Sequence, residues 1–479
     1  MLFLLLLYVG FNLSQPYLWY DEAVQFWIGK GLNPDSPSFS PTGNLVDVFN
    51  NNRYYNLDPG GFGFLLYVWS AFSNQVFWLR ILPYLFFVFS VFTCIYSAWL
   101  LTRNSAWALL AGFIPFLIPN AMHLSVELRA YSMEVLCSLC CIAGLLHLEQ
   151  KLSAKRLLAC SCLFCFLITS RYTALIMVGI ASLYVLYIIF NQTISVQTKW
   201  RYSIVYALPL LLMVLGIYGW VLRIQNADIN PLYYLPYLSK KKHMLWQSSF
   251  WLFNGICLLH AFLFLASYRF STLKPLRPLF FMAAASNTGL IILSYAGMHP
   301  WGPYSFRCIS LPAIQTTCSV LALIAWLKTK QGIKYRALIV VSACAITANA
   351  FWQHPKILKR FYDQQNAYYV FKKKLVSPNM KIYADYFEAP YIKYLFEYGD
   401  GKTWATPKYP DQFYLAICTR HGFTQGNQSP YFDYLKTQPV MNDLMNYDCL
   451  LTPQLFRKGQ HDAWALLPGA NGVWIKKAE

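Results

Sequence analysis

Two adjacent carboxylates, Asp21 and Glu22, follow the first apolar run of the chain in the sequence WYDEA at positions 19–23. Ionisable side chains at a membrane boundary cost free energy, so they are often functional. Such a pair can act as a general base, as metal ligands or as a clamp for a substrate. The structural alternative is an acidic helix start, with Asp21 as the N-cap and Glu22 interacting favourably with the helix dipole.

A third carboxylate, Asp58, lies in the stretch NLDPGGFG at positions 56–63. Glycines let a backbone approach a ligand closely. Asp58 is predicted to face the same water layer as Asp21. The alternative is an Asp-Pro-Gly turn that leads into a helix.

The stretch ELRAY at positions 127–131 contains three further candidates, Glu127, Arg129 and Tyr131. With helical spacing, Glu127 and Tyr131 share one helix face and Arg129 lies on another. A structural ion pair or an interfacial tyrosine is the alternative interpretation.

Three basic groups are candidates for binding an anion. Arg171 lies between two predicted spans, Lys241 belongs to the cluster KKKH at positions 240–243, and Arg307 precedes a late span. A basic cluster in an outer loop indicates an anionic partner, such as a lipid phosphate, although it can also anchor the protein to headgroups without catalysis. An arginine that enters the bilayer boundary is a phosphate-binding candidate.

The composition predicts that these groups are held by a membrane protein. The 479 residues are 57% hydrophobic and 18% aromatic, and only 12% are charged, whereas about 25% are charged in a soluble domain. The net charge of +19 fits an excess of Lys and Arg in cytoplasmic turns. No basic, aromatic-interleaved module for nucleic acid stands out, so a nucleic-acid partner is not expected.

About eleven apolar runs are long enough to cross a bilayer as helices. They are predicted near 2–18, 77–101, 105–122, 131–148, 157–171, 174–190, 202–222, 248–268, 278–296, 306–327 and 337–352. The first is expected to be an uncleaved anchor, and the shorter run from Phe62 to Phe72 is expected to lie in the interface. The fold class is thus an α-helical polytopic membrane protein, with a transmembrane domain at 1–352 whose first outer loop is 20–76.

The charge pattern of the turns predicts the orientation. With a cytoplasmic N-terminus, the inner turns are rich in Lys and Arg and the outer loops hold most of the acids. An odd number of spans then places residues 353–479 outside the cytoplasm, as a small α/β domain with strands at Lys381–Ala384, Asp448–Leu451 and Val473–Lys476 and a helix at Pro390–Tyr398. If this domain is exported, Cys418 and Cys449 can form a disulfide.

The order of these motifs resembles the GT-C membrane glycosyltransferases, specifically the group around glycosyltransferase family 39. That group includes protein O-mannosyltransferases and the aminoarabinose transferase of lipid A modification. WYDEA (19–23) is similar to the family's Asp-Glu-Ala motif, and SVELRAYSMEVL (125–136) to its Glu-x-Arg-x-Tyr-Ala-Leu motif. SRYTAL (170–175) and RCISLPA (307–313) are similar to two later segments. The chain departs from the family at DPGG (58–61), where His-Pro-Pro-Leu is common, and at Cys308, where an aromatic residue is usual.

The resemblance implies a GT-C fold and inverting transfer of a sugar from a polyprenyl-phosphate donor to a lipid, glycan or protein acceptor on the outer face. It implies that Asp21 is the base or orients the acceptor, with support from Glu22. Asp58 and Glu127 would position the sugar, and a divalent cation, if one takes part, would be held by Asp21 and Glu127.

The remaining site residues would bind the donor. Arg307, Arg129 and Lys241 would stabilise the leaving phosphate, and Tyr131 and Arg171 would bind substrate beside them. The expected location is a bacterial inner membrane, in contact with its lipids. The alternatives are a lipid-linked sugar transporter or flippase, or a non-catalytic membrane assembly protein. The halves of the chain show no inverted repeat, and the presence of Asp21 favours an enzyme.

Overall fold

The computed structural model describes residues 1–14, 18–32, 43–56, 58–222, 248–295 and 309–329, and, in the tail, 381–384, 390–391, 394, 414–417, 449–451, 464–466 and 473–476. The predicted span at 337–352 lies outside these residues, as do Lys241, Arg307, Cys308, Cys418 and most of the helix predicted at Pro390–Tyr398. The chain forms two compact units. One contains Met1–Asn12, Asn56–Phe62 and Ile81–Trp352, and the other contains Leu13–Tyr55, Gly63–Arg80 and Gln353–Glu479.

The first part of the chain is a series of helices separated by short turns. They are α1 (Leu2–Gly10), α2 (Tyr20–Gly29), α3 (Leu45–Tyr55), α4 (Gly61–Ser70), α5 (Val76–Thr102), α6 (Ser105–Ala111), α7 (Ile114–Leu117) and α8 (Ala121–Leu124). A 3-10 turn at Phe11–Ser14 extends α1. The ten residues of α4 are too few to cross a bilayer.

The second part contains the longer helices. They are α9 (Tyr131–Gln150), α10 (Ala154–Leu167), α11 (Tyr172–Phe190), α12 (Val196–Ile217), α13 (Ser248–Arg269), α14 (Arg277–Tyr295) and α15 (Ser310–Lys328). A π-helical turn at Tyr218–Leu222 continues α12. In this unit α9 is the central helix, because it packs against α8, α10, α11, α14 and α15.

Five helices among the described residues are long and apolar enough to cross a membrane: α5, α9, α11, α12 with its π-helical turn, and α15. Their outer faces are apolar. On α12, for example, Trp200, Leu208, Leu212 and Leu215 are each at least half exposed. Water would disfavour such a surface and lipid would not. The protein is therefore an α-helical membrane protein. Helices α13 and α14 correspond to the runs predicted at 248–268 and 278–296.

The run predicted as one span at 105–122 is instead three short helices, α6 to α8. The cause is local: Pro115 lies at the start of α7, and Asn120 adopts a left-handed conformation with φ of 63°. Proline removes a backbone donor and a positive φ ends the helical path. The apolar composition therefore predicted a single span here, whereas the chain forms no continuous helix across this run.

The described part of the tail is a mixed five-stranded sheet. Its strands are β1 (Lys381–Ala384), β2 (Tyr414–Ile417), β3 (Cys449–Leu451), β4 (Trp464–Leu466) and β5 (Val473–Lys476), in the order β2-β1-β3-β5-β4. The pairs β1–β2 and β1–β3 are parallel, whereas β5 is antiparallel to both neighbours. Strands occupy all three predicted stretches, and β2 and β4 are additional.

Helix α2 packs closely against α4 within its unit. A Cβ on Gly29 would lie 2.8 Å from the side chain of Leu66, so glycine allows this approach without a shift of Leu66. The ammonium of Lys30, which follows α2, donates to the carbonyl of Ser70 at 3.2 Å, where α4 ends. The Lys30 side chain is buried and lies over the Phe26 ring.

This burial predicts a pH dependence of stability. Burial lowers the pKa of the Lys30 ammonium from its usual value of 10.5 to about 8. Between these values the folded protein binds fewer protons than the unfolded chain, so its stability rises with pH across this window. Thermal unfolding in detergent should therefore show that wild type gains stability relative to Lys30→Met as pH rises. The exposed Lys155 provides the control: Lys155→Met should follow wild type at every pH, and an equal pH response in all three proteins would contradict the prediction.

Candidate functional site

The carboxylates of the WYDEA motif lie in the first turn of α2, and Trp19 is the N-cap. Neither acid is therefore the N-cap residue, although both are placed favourably for the helix dipole. Asp21 is partly exposed and Glu22 is completely buried. The two adjacent carboxylates thus have different environments.

Glu22 forms a bidentate ion pair with Arg80, which lies near the start of α5. Arg80 Nε donates to Oε1 at 3.0 Å and Nη2 donates to Oε2 at 2.7 Å. The backbone N–H of Trp19 also donates to Oε2, at 3.2 Å. Both side chains are 0% exposed. Because Glu22 accepts these three hydrogen bonds, it holds the start of α2 in place and thereby fixes the position of Asp21.

Asp58 forms a turn in the other unit. Its Oδ1 accepts a hydrogen bond from the N–H of Gly60 at 2.9 Å, and its Oδ2 accepts one from Nδ2 of Asn56 at 2.8 Å. Gly60 has a φ of 92°, a conformation that favours glycine. The Asp-Pro-Gly turn that leads into a helix is therefore present, and Asp58 is buried in it.

The segment after this turn lies directly against the connection between α10 and α11. The N–H of Gly61 donates to the carbonyl of Thr169 at 3.0 Å. A Cβ on Gly61 would lie only 1.9 Å from Thr169 Oγ1 and 2.8 Å from the Thr169 carbonyl. The Gly-Gly pair, which departs from the family motif, thus allows this close approach.

The Gly61→Ala variant should consequently be destabilised by about 1–3 kcal/mol, the usual effect of overpacking. Gly63 in the same helix is the matched control, since a Cβ there would meet Val48 at an ordinary 3.5 Å. Thermal unfolding in detergent measures both variants. Equal melting temperatures for Gly61→Ala and Gly63→Ala would show that the contact with Thr169 is looser than the structure indicates.

Arg171, the N-cap of α11, is paired with a carboxylate that the sequence did not single out. Its Nη1 donates to Oε2 of Glu134 at 2.8 Å. The hydroxyls of Thr173 and Ser310 both donate to Oε1 of the same carboxylate. Glu134 on α9 is completely buried, so one carboxylate links α9 to α11 and α15.

Arg171 also stacks on Tyr131, the first residue of α9. Its guanidinium carbon lies 4.5 Å from the centre of the Tyr131 ring, and that of Arg129 lies 5.8 Å away. Burial lowers the pKa of Arg171, but the charges of Glu134, Tyr131 and Asp58 more than offset this, so the pKa lies above its usual value. Two cationic groups therefore share one aromatic ring, with Asp58 close enough to interact electrostatically.

Glu127 lies in a turn before α9, not in a helix. The predicted helical relation between Glu127 and Tyr131 is therefore wrong, because α9 begins only at Tyr131. The Glu127 side chain is buried, and its Oε2 lies 3.7 Å from Nε2 of His123, four residues earlier on α8. This geometry suits an ion pair when His123 is protonated.

The structure brings four of the predicted site residues close together, namely Asp58, Arg129, Tyr131 and Arg171, and Glu127 belongs to the same unit. Asp21 and Glu22 lie in the other unit. Arg80 and Glu134 were not among the predicted site residues, although both lie inside predicted spans, where an ionisable side chain is itself a signal. Among the described residues, no three His, Cys, Asp or Glu side chains are close enough to hold a metal ion.

A comparison of the chain with known protein families and with curated proteins finds no match.

Proposed function

We propose that the protein transfers a sugar from a polyprenyl-phosphate donor to an acceptor hydroxyl at the membrane surface, as a glycosyltransferase of the GT-C type. The observation that carries this proposal is the pair Arg129 and Arg171 at the Tyr131 ring. Guanidinium groups present several N–H donors to phosphate oxygens, so two of them at one ring suit the binding of an anion. A phosphate at the end of a lipid is the anion that suits an arginine pair in a membrane protein.

The reaction needs few groups. The acceptor oxygen attacks the anomeric carbon, the bond from that carbon to the phosphate oxygen breaks, and its electron pair leaves with the polyprenyl phosphate. The Asp21 carboxylate takes the proton of the acceptor hydroxyl as the attack proceeds. Arg129 and Arg171 stabilise the negative charge that develops on the leaving phosphate, and Arg307 and Lys241 are proposed to assist them. Asp58 and Glu127 are proposed to orient the sugar.

Several finer features belong to the same proposal. The chain is proposed to cross the membrane about eleven times and to place residues 353–479 outside the cytoplasm, in a bacterial inner membrane. The mixed sheet of the tail suits the α/β character proposed for residues 353–479. A lipid-linked sugar flippase remains the second candidate, because a cationic site for a lipid phosphate would serve it equally well.

The test is a donor assay with purified protein in detergent and a panel of radiolabelled polyprenyl-phosphate sugars. Asp21→Asn should lower turnover at least about 100-fold, the usual contribution of a general base, without changing expression or the melting temperature. Asp47→Asn is the matched control, because Asp47 belongs to the same unit and, like Asp21, is a partly exposed acid in the first turn of its helix. It should retain wild-type turnover.

The outcomes separate the candidates. Full activity of Asp21→Asn would remove Asp21 from the mechanism. A protein that binds one donor without consuming it, even with acceptors supplied, would favour the flippase. A protein that binds none would favour an assembly role.

A further inference from the structure

A short segment of the tail packs onto the helix that carries Asp21. The carbonyl of Pro390 accepts a hydrogen bond from Nε1 of Trp27 at 2.8 Å. The ring of Tyr394 meets that of Phe26 edge to face, with centres 5.0 Å apart and planes at 90°. The Tyr394 hydroxyl donates to the carbonyl of Asn74 at 2.6 Å, between α4 and α5. All of these residues belong to one unit.

The contact is part of a packed interior. Phe26 and Trp27 are 0% and 1% exposed, and Tyr391 and Tyr394 are 1% and 3% exposed. Tyr391 stacks on Tyr394 with nearly parallel rings, 6.0 Å apart. Buried aromatic side chains contribute a large share of packing energy, and their polar atoms need partners. The indole N–H of Trp27 and the hydroxyl of Tyr394 each have a hydrogen-bond partner, so the packing is specific as well as apolar.

The same helix is fixed at both ends by charged groups. Glu22 binds Arg80 from its first turn, and Lys30, the residue directly after the helix, donates to the carbonyl of Ser70. The tail segment binds between these two points, at Phe26 and Trp27. A ten-residue helix moves nearly as one body, so a contact at Trp27 restrains Asp21 in the first turn.

We propose that the tail residues Pro390, Tyr391 and Tyr394 position α2 for the reaction, and that Trp27 and Tyr394 are positioning residues which act through Asp21. The proposal rests on the proposed function. It also gives the tail a role that its own sequence did not reveal: removing the contact leaves Asp21 present but less well placed. Since a shift of about 1 Å in a catalytic group can lower a rate 100-fold, the effect should appear in kcat and not in the donor KM.

The experiment uses the full chain in detergent and two conservative variants. Tyr394→Phe removes only the hydroxyl that donates to Asn74, and Trp27→Phe removes the indole N–H that donates to Pro390. Tyr84→Phe is the matched control, because the Tyr84 hydroxyl also donates to a backbone carbonyl, that of Leu6, at 2.7 Å in the other unit. Hydrogen exchange of the amides of 20–29 and steady-state kinetics with the consumed donor are measured for each protein.

We expect amide exchange within 20–29 to become about fivefold faster in both variants, which is the change in an opening equilibrium when one ordinary hydrogen bond is lost. We also expect kcat to fall about tenfold or more while the donor KM stays unchanged. Tyr84→Phe should change neither quantity. Unchanged exchange in both variants would overturn the inference, because the segment would not hold α2. Faster exchange with unchanged kcat would overturn the positioning role. If wild type consumes no donor, the proposed function fails, and the exchange result alone decides whether the segment restrains α2.

Discussion

Glu134→Gln should lower the free energy of unfolding by about 3–5 kcal/mol, the range for a buried ion pair that loses one partner. Glutamine has nearly the shape of glutamate, so no cavity forms. It offers one acceptor oxygen where the carboxylate offers two, and its amide group would face side chains that are already donating. Arg171 cannot lose its charge, and its side chain is only 17% exposed.

The same helix provides the control. Glu149, near the end of α9, is exposed and accepts a hydrogen bond from the Tyr184 hydroxyl at 2.7 Å. Glu149→Gln makes the same chemical change in a hydrated environment, where charge interactions contribute less than about 1 kcal/mol. Unfolding by detergent titration compares the two variants. Equal losses would show that the Glu134 carboxylate contributes no more than a surface charge.

A double-mutant cycle tests the pairing itself. If the loss in Glu134→Gln comes from an unpaired Arg171, then Arg171→Met should cancel part of it. The double variant should be more stable than the sum of the single effects by about 0.5–3 kcal/mol. Strict additivity would place the effect of Glu134 in its contacts with Thr173 and Ser310 instead.

The long apolar helices were predictable because a helix that crosses a membrane needs a continuous run of apolar residues, which is visible in the sequence. The runs at 77–101 and 131–148 correspond within two residues to α5 and α9, since a helix in a membrane needs only about 20 apolar residues. The strands at Lys381–Ala384 and Val473–Lys476 were equally clear. In each case the signal is local, and neighbouring residues suffice to determine the element.

The partners of the charged residues were not predictable, because they come from distant parts of the chain. Arg80 lies 58 residues after Glu22, and Ser310 lies 176 residues after Glu134. Nothing in the local sequence of Glu22 indicates whether its carboxylate faces a substrate or an arginine. The sequence did indicate that charges inside apolar runs carry a function or a partner; applied to Arg80 and Glu134, that rule would have identified both.

Arg80→Met should be the second severe change, because it leaves the Glu22 carboxylate buried without its cation. We expect a loss of about 3–5 kcal/mol in the free energy of unfolding. Arg53 in the same unit is the control: it is partly exposed and its Nη2 donates to Oδ1 of Asn50 at 3.0 Å. Arg53→Met should cost about 1 kcal/mol, as for an ordinary hydrogen bond.

Removing both charges distinguishes the two roles of Glu22. The double variant Glu22→Leu with Arg80→Met replaces the pair by apolar side chains, which is often neutral or stabilising for a buried ion pair. We therefore expect it to regain most of the stability lost in Arg80→Met. If Glu22 only holds the start of α2, the double variant should also transfer sugar through Asp21 at a rate near that of wild type. If Glu22 takes part in the chemistry, the refolded double variant stays inactive, and the separation of a structural Glu22 from a catalytic Asp21 is wrong.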